Sequence, residues 1–293
     1  MIEDIRDPSA IQSAVRNAGA VFHFAAQTAV TTSLAEPRTD FEINALGTVN
    51  VLEAVREVSP KAPVIFASTN KVYGNLTDLD VRQSDDRYVP VDPAISEHGI
   101  GEDRKLDFCT PYGCSKGVAD QYVLDYAKSY GLRTAVLRMS CIYGPRQFGT
   151  EDQGWVAHFL IKALRGEPIS IYGDGLQVRD VLHVDDAVAA YRLLLQKIDL
   201  AQAYNLGGGP RNAVSIRIVL REIAELTGRP LDVDYADWRA GDQLYFVADT
   251  RRLGDGFGWS AKIGWQEGLR QLHHWLADSD LVRLFDIRRK VSA

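Results

Sequence analysis

The sequence contains little of several residue types, and each shortage argues against a class of protein. Only three of its 293 residues are cysteines, and their spacing matches neither a disulfide framework nor a metal site. No apolar run approaches the ~18 residues of a membrane-spanning helix. No run of lysine and arginine is long enough to form a nucleic-acid surface, and the net charge is −6. We therefore expect a cytoplasmic protein with reduced thiols, no metal centre, and neither a membrane nor a nucleic acid as partner.

Short apolar runs alternate with helical patterns in the first half of the chain. Strands are predicted at 20–26, 62–68 and 134–138, and helices at 40–58 and 112–130. This alternation predicts an α/β fold with a doubly wound, Rossmann-like parallel sheet and right-handed crossovers. The polar segment 73–110 lacks such a pattern and indicates a long loop.

The pattern changes after residue 150, which suggests a second, smaller part of the fold. We expect residues 1–150, completed by 176–208, to form the Rossmann-like part of the protein. Residues 151–175 and 209–277 are expected to form a C-terminal substrate lobe, and 278–293 a basic tail. The glycine-rich stretch 254–258 follows no predicted strand and is expected to be a turn.

The segment from Tyr112 to Lys116 carries the main chemical signal. The two residues are four positions apart on a predicted helix, so they share one face. A nearby ammonium would lower the pKa of Tyr112 from its reference value near ~10, which suits a general base that accepts a proton from a sugar hydroxyl. Thr69 adds a hydroxyl at the end of the preceding strand. Cys114, inside the same helix, is expected to be a small core residue.

Five motifs occur in an order that resembles a known family. They are His23–Ala26, Thr69–Gly74, Pro111–Lys116, Tyr143–Gln147 and Val178–Val184. Together they resemble the extended short-chain dehydrogenase/reductase family, the NAD-dependent nucleotide-sugar epimerases and dehydratases. The resemblance implies NAD as cofactor, a nucleotide sugar as substrate and a homodimer. It also implies Thr69, Tyr112 and Lys116 as catalytic residues, with Ser68 as the competitor of Thr69.

The resemblance further assigns binding residues, position by position. Those implied for the cofactor, besides Tyr112 and Lys116, are Asp4, Ile5, Phe24, Ala25, Ala26 and Asn44. Arg179 and Arg239 correspond to arginines that clamp the nucleotide pyrophosphate, a task that suits bidentate guanidinium groups. The alternative for them is an ion pair with a neighbouring aspartate. Cys141 stands at a substrate-binding position where 4-epimerases usually have asparagine.

Smaller differences within the family indicate which reaction to expect. The stretches 68–71, 107–120, 152–156, 177–183 and 241–249 resemble epimerases that act at C2 of a nucleotide-linked deoxyhexose. The dehydratases carry Asp-Glu where this chain has Asn70 and Lys71, and an amide and an ammonium cannot replace that acid/base pair. The alternatives are a UDP-sugar 4-epimerase and, from another class, a non-catalytic remnant that binds nucleotide sugar.

One family motif is missing from the sequence. Members of the family begin with a strand, a G-x-x-G-x-x-G turn and a helix whose N-terminus holds the NAD pyrophosphate. Here the residues 4–7 already resemble a segment that follows two βα units of the dinucleotide fold. The resemblance thus implies a fold that lacks its first βαβ unit, from a misassigned gene start or a real loss. It predicts poor NAD binding by the chain as given.

Overall fold

The computed structural model describes residues 3–197 and 201–278. The helices are α1 (Pro8–Val15), α2 (Val30–Ala35), α3 (Pro37–Phe41), α4 (Gly47–Val58), α5 (Pro93–His98), α6 (Thr110–Tyr130), α7 (Trp155–Arg165), α8 (Val184–Lys197), α9 (Ile216–Thr227), α10 (Arg251–Phe257) and α11 (Trp265–Asp278). The strands are β1 (Val21–His23), β2 (Val64–Thr69), β3 (Val81–Gln83), β4 (Tyr88–Pro90), β5 (Thr134–Met139), β6 (Cys141–Tyr143), β7 (Ile169–Tyr172), β8 (Val178–His183), β9 (Gln202–Leu206), β10 (Ala213–Ser215), β11 (Val233–Ala236) and β12 (Tyr245–Phe246). A π-helical turn, Glu42–Leu46, joins α3 to α4. Across these two described ranges, no helix combines the length and apolarity needed to cross a bilayer.

The central sheet is parallel, as the alternation of strands and helices predicts. Within the described residues its strand order is β1-β2-β5-β9, and every neighbouring pair is parallel. β1 lies at one end of this order, with β2 as its described strand partner. Because the strands run in one direction, their carboxyl ends meet at one edge of the sheet, where Thr69 ends β2.

Helices cover both faces of this sheet, which makes β2 buried along its whole length. Side chains of a strand point alternately to opposite faces. Phe66 therefore packs into a core with residues of α1, α4 and α6, whereas Ile65 packs into a second core with residues of α8 and α10. This arrangement is the doubly wound, Rossmann-like architecture that the sequence predicts.

A third core lies in the second half of the chain. It packs α7, α9 and α11 against β7 and β8. β8 pairs with β10, β12 and β6, and β7 pairs with β11. Residues 176–208 were expected to complete the Rossmann-like part. Within this segment β9 joins the central sheet, whereas β8 belongs to the second set of strands. The lobe boundaries given above stay a prediction.

Three local expectations are wrong. The segment 73–110 contains a β3–β4 hairpin and α5, which are too short to show a periodic pattern. The glycine-rich stretch lies mostly in α10, because buried Leu253 anchors this helix and Gly258 ends it in the left-handed conformation. Cys114 is exposed, because α6 buries the side that carries Tyr112, Ser115 and Ala119. Most of the expected tail, 279–293, lies outside the described residues.

Candidate active site

A cavity of about 450 Å³ opens at the carboxyl edge of the central sheet. This volume is within the usual range for small-molecule sites. It brings together five residues that the sequence singles out: Thr69, Tyr112, Cys141, Arg179 and Arg239. Asn70, Lys71 and Asp242 also line it. Apart from Tyr112, the predicted cofactor residues, Lys116 among them, are not part of the lining of this cavity.

Tyr112 and Thr69 meet at the wall of the cavity. Pro111 occupies the first turn of α6, so Tyr112 stands at the beginning of the helix, beside the end of β2. Burial raises the pKa of Tyr112 to about 12, although a hydrogen bond with Thr69 opposes this rise. Thr69 also caps the turn that follows β2, since its Oγ1 accepts a hydrogen bond from the backbone of Lys71 at 3.2 Å. The pair can therefore present two hydroxyl groups to a ligand.

Lys116 is buried one turn along α6, but its ammonium does not lower the pKa of Tyr112 as expected. Its Nζ donates to the backbone oxygen of Ala67 at 2.6 Å and lies 4.1 Å from the centre of the Phe66 ring. Burial lowers the pKa of Lys116 to about 7, against the opposing effect of Asp120 and Asp40. The shared helix face is as predicted, whereas the direction of the ammonium follows from its contact with β2.

A buried polar network supports this helix from behind, and sequence reasoning missed its centre, Asp40. The carboxylate of Asp40 accepts hydrogen bonds from Ser115 at 2.5 Å, Gln27 at 3.0 Å and Asn44 at 3.1 Å. Asn44 also exchanges hydrogen bonds with the backbone of Gln27. Asn44 thus anchors the chain that follows β1. The available signal was the spacing of two polar residues, Asp40 and Asn44, on one face of a helix.

The segment after β1, which carries three of the predicted cofactor residues, is largely exposed. Phe24 is 56% exposed, and Ala25 is exposed beside it. Near the start of the chain, Asp4 is exposed and its carboxylate is held by Arg6, which lowers the pKa of Asp4 to about 2. Ile5 is different, because its side chain packs into the core against Gly47 of α4. Its backbone is therefore the part that a ligand could meet.

The three predicted substrate residues all have protein partners. Arg179 donates to Asp242 with 2.6 Å between Nη2 and Oδ1. This is the ion pair with an aspartate that was the alternative to a pyrophosphate clamp. Arg239 lies 3.9 Å over the Tyr172 ring and donates to the backbone oxygen of Glu151 at 3.1 Å. The thiol of Cys141 accepts a hydrogen bond from the Trp155 indole at 3.3 Å. Both guanidinium groups still line the cavity, and Nε of Arg239 is buried without a hydrogen-bond partner among residues 3–197 and 201–278.

The residues present fit the nicotinamide and ribose end of NAD. Tyr112 offers a hydroxyl, and Lys116 offers a buried ammonium with three N–H groups, of which Ala67 takes one. The small side chains of Ala25 and Ala26 permit a close approach along the exposed segment after β1. These groups can bind ribose hydroxyls and a planar ring at the same edge of the sheet.

Comparison with known proteins identifies the family. Residues 2–207 match the model of the NAD dependent epimerase/dehydratase family. The chain is 41% identical over 261 residues to a CDP-paratose 2-epimerase of Salmonella typhi, covering 87% of this chain and 76% of that protein. It is 32% identical to a dTDP-glucose 4,6-dehydratase of Mycolicibacterium smegmatis, over 93% of this chain and 76% of that protein.

The fold agrees with this assignment. The crystal structure of a Thermus thermophilus UDP-glucose 4-epimerase, in complex with NAD, superimposes with a TM-score of 0.81 at 32% identity. The superposition covers 94% of this chain and 84% of that one. The chain therefore belongs to the NAD dependent epimerase/dehydratase family, an enzyme family with a Rossmann-like fold. The expected resemblance is confirmed.

Proposed function

We propose that this protein is an NAD-dependent nucleotide-sugar epimerase that inverts C2 of a CDP-linked deoxyhexose. The observation that carries the proposal is the contact between Tyr112 and Thr69 at the wall of a cavity that also contains Arg179 and Arg239. A base, a hydroxyl relay and two guanidinium groups in one cavity suit a sugar joined to a diphosphate. The identity to the Salmonella protein supports the choice of sugar, nucleotide and carbon.

Each catalytic residue has a distinct task in this proposal. When bound, NAD⁺ supplies the acceptor for the hydride of the carbinol carbon. Tyr112 accepts the proton of the sugar hydroxyl and later returns it, and Thr69 hydrogen-bonds the same oxygen. Tyr112 works as a base only after its pKa falls from about 12. Lys116, one turn along the same helix, would hold the nicotinamide ribose through the N–H groups that Ala67 leaves free. Epimerisation would require the keto-sugar to turn its other face toward the cofactor within the cavity.

The neighbours of Thr69 argue against dehydration. Asn70 is buried and lies 3.4 Å from the side-chain oxygen of Gln243, and Lys71 donates to the backbone of Gly241. Asp242, a carboxylate that lines the cavity, is tied to Arg179. Burial raises the pKa of Asp242, but the positive charges of Arg179 and Lys71 outweigh this effect and keep the pKa below its ordinary value. Asp242 is therefore a poor proton donor for the removal of water.

The second candidate is a UDP-sugar 4-epimerase, which the structural likeness to such an enzyme favours. An NMR time course with CDP-paratose and NAD distinguishes the candidates. We expect exchange at C2 without net release of NADH, and exchange at C4 or loss of water would replace our proposal. Binding of the nucleotide sugar without any turnover would favour the non-catalytic alternative.

The proposed role of Tyr112 is tested by Tyr112→Phe. We expect turnover to fall by about 10²- to 10⁴-fold with the fold intact, because the general base is lost. Tyr235→Phe, at an exposed tyrosine of β11 outside the cavity lining, is the control and should retain full turnover. Turnover near the wild-type level in Tyr112→Phe would refute the assignment.

We also propose that the protein forms a homodimer through α4 and α6. These helices pack side by side, and Tyr122 and Tyr130 on α6 are 45% and 55% exposed. Val123 and Tyr126 are buried within the protomer, so the neighbouring tyrosines offer the contact surface. Sedimentation at micromolar concentration should give a dimer, and a monomer would contradict the proposal.

We also propose a cytoplasmic location. Cys109, Cys114 and Cys141 are all free, which supports a location in the reducing cytoplasm.

A further inference from the structure

Lys71 extends along the cavity wall two residues after Thr69. Its Nζ donates to the backbone oxygen of Gly241 at 3.1 Å and lies 3.6 Å from Oδ1 of Asp242. The side chain is 22% exposed, and it lines the cavity. A ligand in the cavity can therefore reach this ammonium, for which the mechanism above has no use.

The charges around Lys71 leave it able to bind a ligand. Asp242 is shared, because its Oδ1 accepts from Nη2 of Arg179 at 2.6 Å and from the backbone of Gln243 at 3.0 Å. One carboxylate thus faces two cations, and the stronger contact belongs to Arg179. An ammonium has three N–H groups, and the two protein acceptors near Lys71 leave one for a ligand.

The position of Lys71 relative to Tyr112 indicates which part of a ligand it meets. A sugar hydroxyl that gives its proton to Tyr112 lies on the same side of the cavity as Thr69, because both side chains line it at the end of β2 and the start of α6. Lys71 lies in the turn Asn70–Tyr73, only two residues after Thr69. Because Lys71 lines the same cavity as Thr69 and Tyr112, another oxygen of the same hexose can meet its side chain.

We propose that Lys71 binds an oxygen substituent of the hexose and thereby fixes which ring carbon faces Tyr112. The inference rests on the proposed nucleotide-sugar function and adds a specificity-determining residue to it. Two other roles are possible for a lysine here: binding of the diphosphate together with Arg179, and a purely structural tie to Gly241. Each predicts a different pattern of binding.

The test compares two ligands on Lys71→Met by calorimetry with NAD present. CDP-paratose carries the hexose, and CDP lacks it. We expect the Kd of CDP-paratose to rise about 10- to 100-fold, the range of a hydrogen bond to a charged group, and the Kd of CDP to change less than about twofold. Lys71→Arg should recover part of the loss. Lys128→Met, at an exposed lysine of α6, should alter neither constant.

Three outcomes would overturn the proposal. An equal loss for both ligands would assign Lys71 to the diphosphate. If Lys71→Met changed the Kd of neither ligand, or only lowered the melting temperature, the hydrogen bond to Gly241 would remain as the role of Lys71. Wild-type protein that binds CDP but not CDP-paratose would refute a hexose contact altogether. Failure of the proposed function looks different: the wild type would bind CDP-paratose without exchange at C2, and the two Kd values would still decide the role of Lys71.

Discussion

Replacing Arg138 with methionine should destabilise the protein by about 3–5 kcal/mol, because it leaves a buried carboxylate without its cation. Nε and Nη2 of Arg138 each donate to Asp120 at 2.9 Å, and the two side chains are 5% and 0% exposed. Arg138 lies on β5, the neighbour of β2 in the central sheet, and Asp120 lies on α6. The pair therefore connects the sheet to the helix that carries Tyr112.

The size of the loss follows from what remains around Asp120. Ser68 donates to its carboxylate at 2.8 Å and Gln121 at 2.9 Å, so two neutral donors stay in place. Neutral donors offset only part of the cost of a buried charge, which places the expected loss toward the lower end of the range. Combining Arg138→Met with Asp120→Leu removes both charges, and the double variant should recover most of the loss.

Urea unfolding followed by circular dichroism measures these differences as shifts of the midpoint at constant slope. Arg270→Met is the control, since its ion pair with Glu267 is half exposed and should contribute almost nothing. A loss below about 1 kcal/mol for Arg138→Met, or a double variant no more stable than the single one, would refute this reasoning.

Further predictions concern pH and packing. Burial, helped by the charge of Lys116, lowers the pKa of His23 to about 3, so below pH 6.5 the unfolded chain binds a proton that the native state does not. His23 should therefore reduce the free energy of unfolding as the pH falls, by up to about 1.4 kcal/mol per pH unit. In His23→Gln the free energy of unfolding should change less between pH 6.5 and 5. Parallel curves for the variant and the wild type would contradict this. Gly208→Ala should destabilise by more than about 1 kcal/mol, because its Cβ would lie 2.1 Å from the backbone oxygen of Val181. Gly256→Ala, in α10 with open space around it, should be neutral or slightly stabilising. Thermal melts of both variants measure the difference, and equal effects of the two changes would refute the argument.

The sequence by itself determined the class of fold and the family. Alternating strand and helix patterns require a parallel sheet with helices on its faces, since parallel strands need crossover connections. The local spacing of Tyr112 and Lys116 placed them on one helix face, and Thr69 at a strand end placed its hydroxyl at the same edge of the sheet.

Only the tertiary structure decided which distant groups meet. Lys71 and Asp242 are 171 residues apart, and Asp40 and Ser115 are 75 apart, so no local pattern links either pair. The direction of the Lys116 ammonium was also undetermined, because helix spacing fixes where a side chain begins and not where its charged end finds an acceptor. Contacts of this kind depend on how the crossovers bring the strand ends together. The sequence therefore predicted residues that the fold brings to one cavity, and the packing of sheet, helices and loops decided which partners surround them.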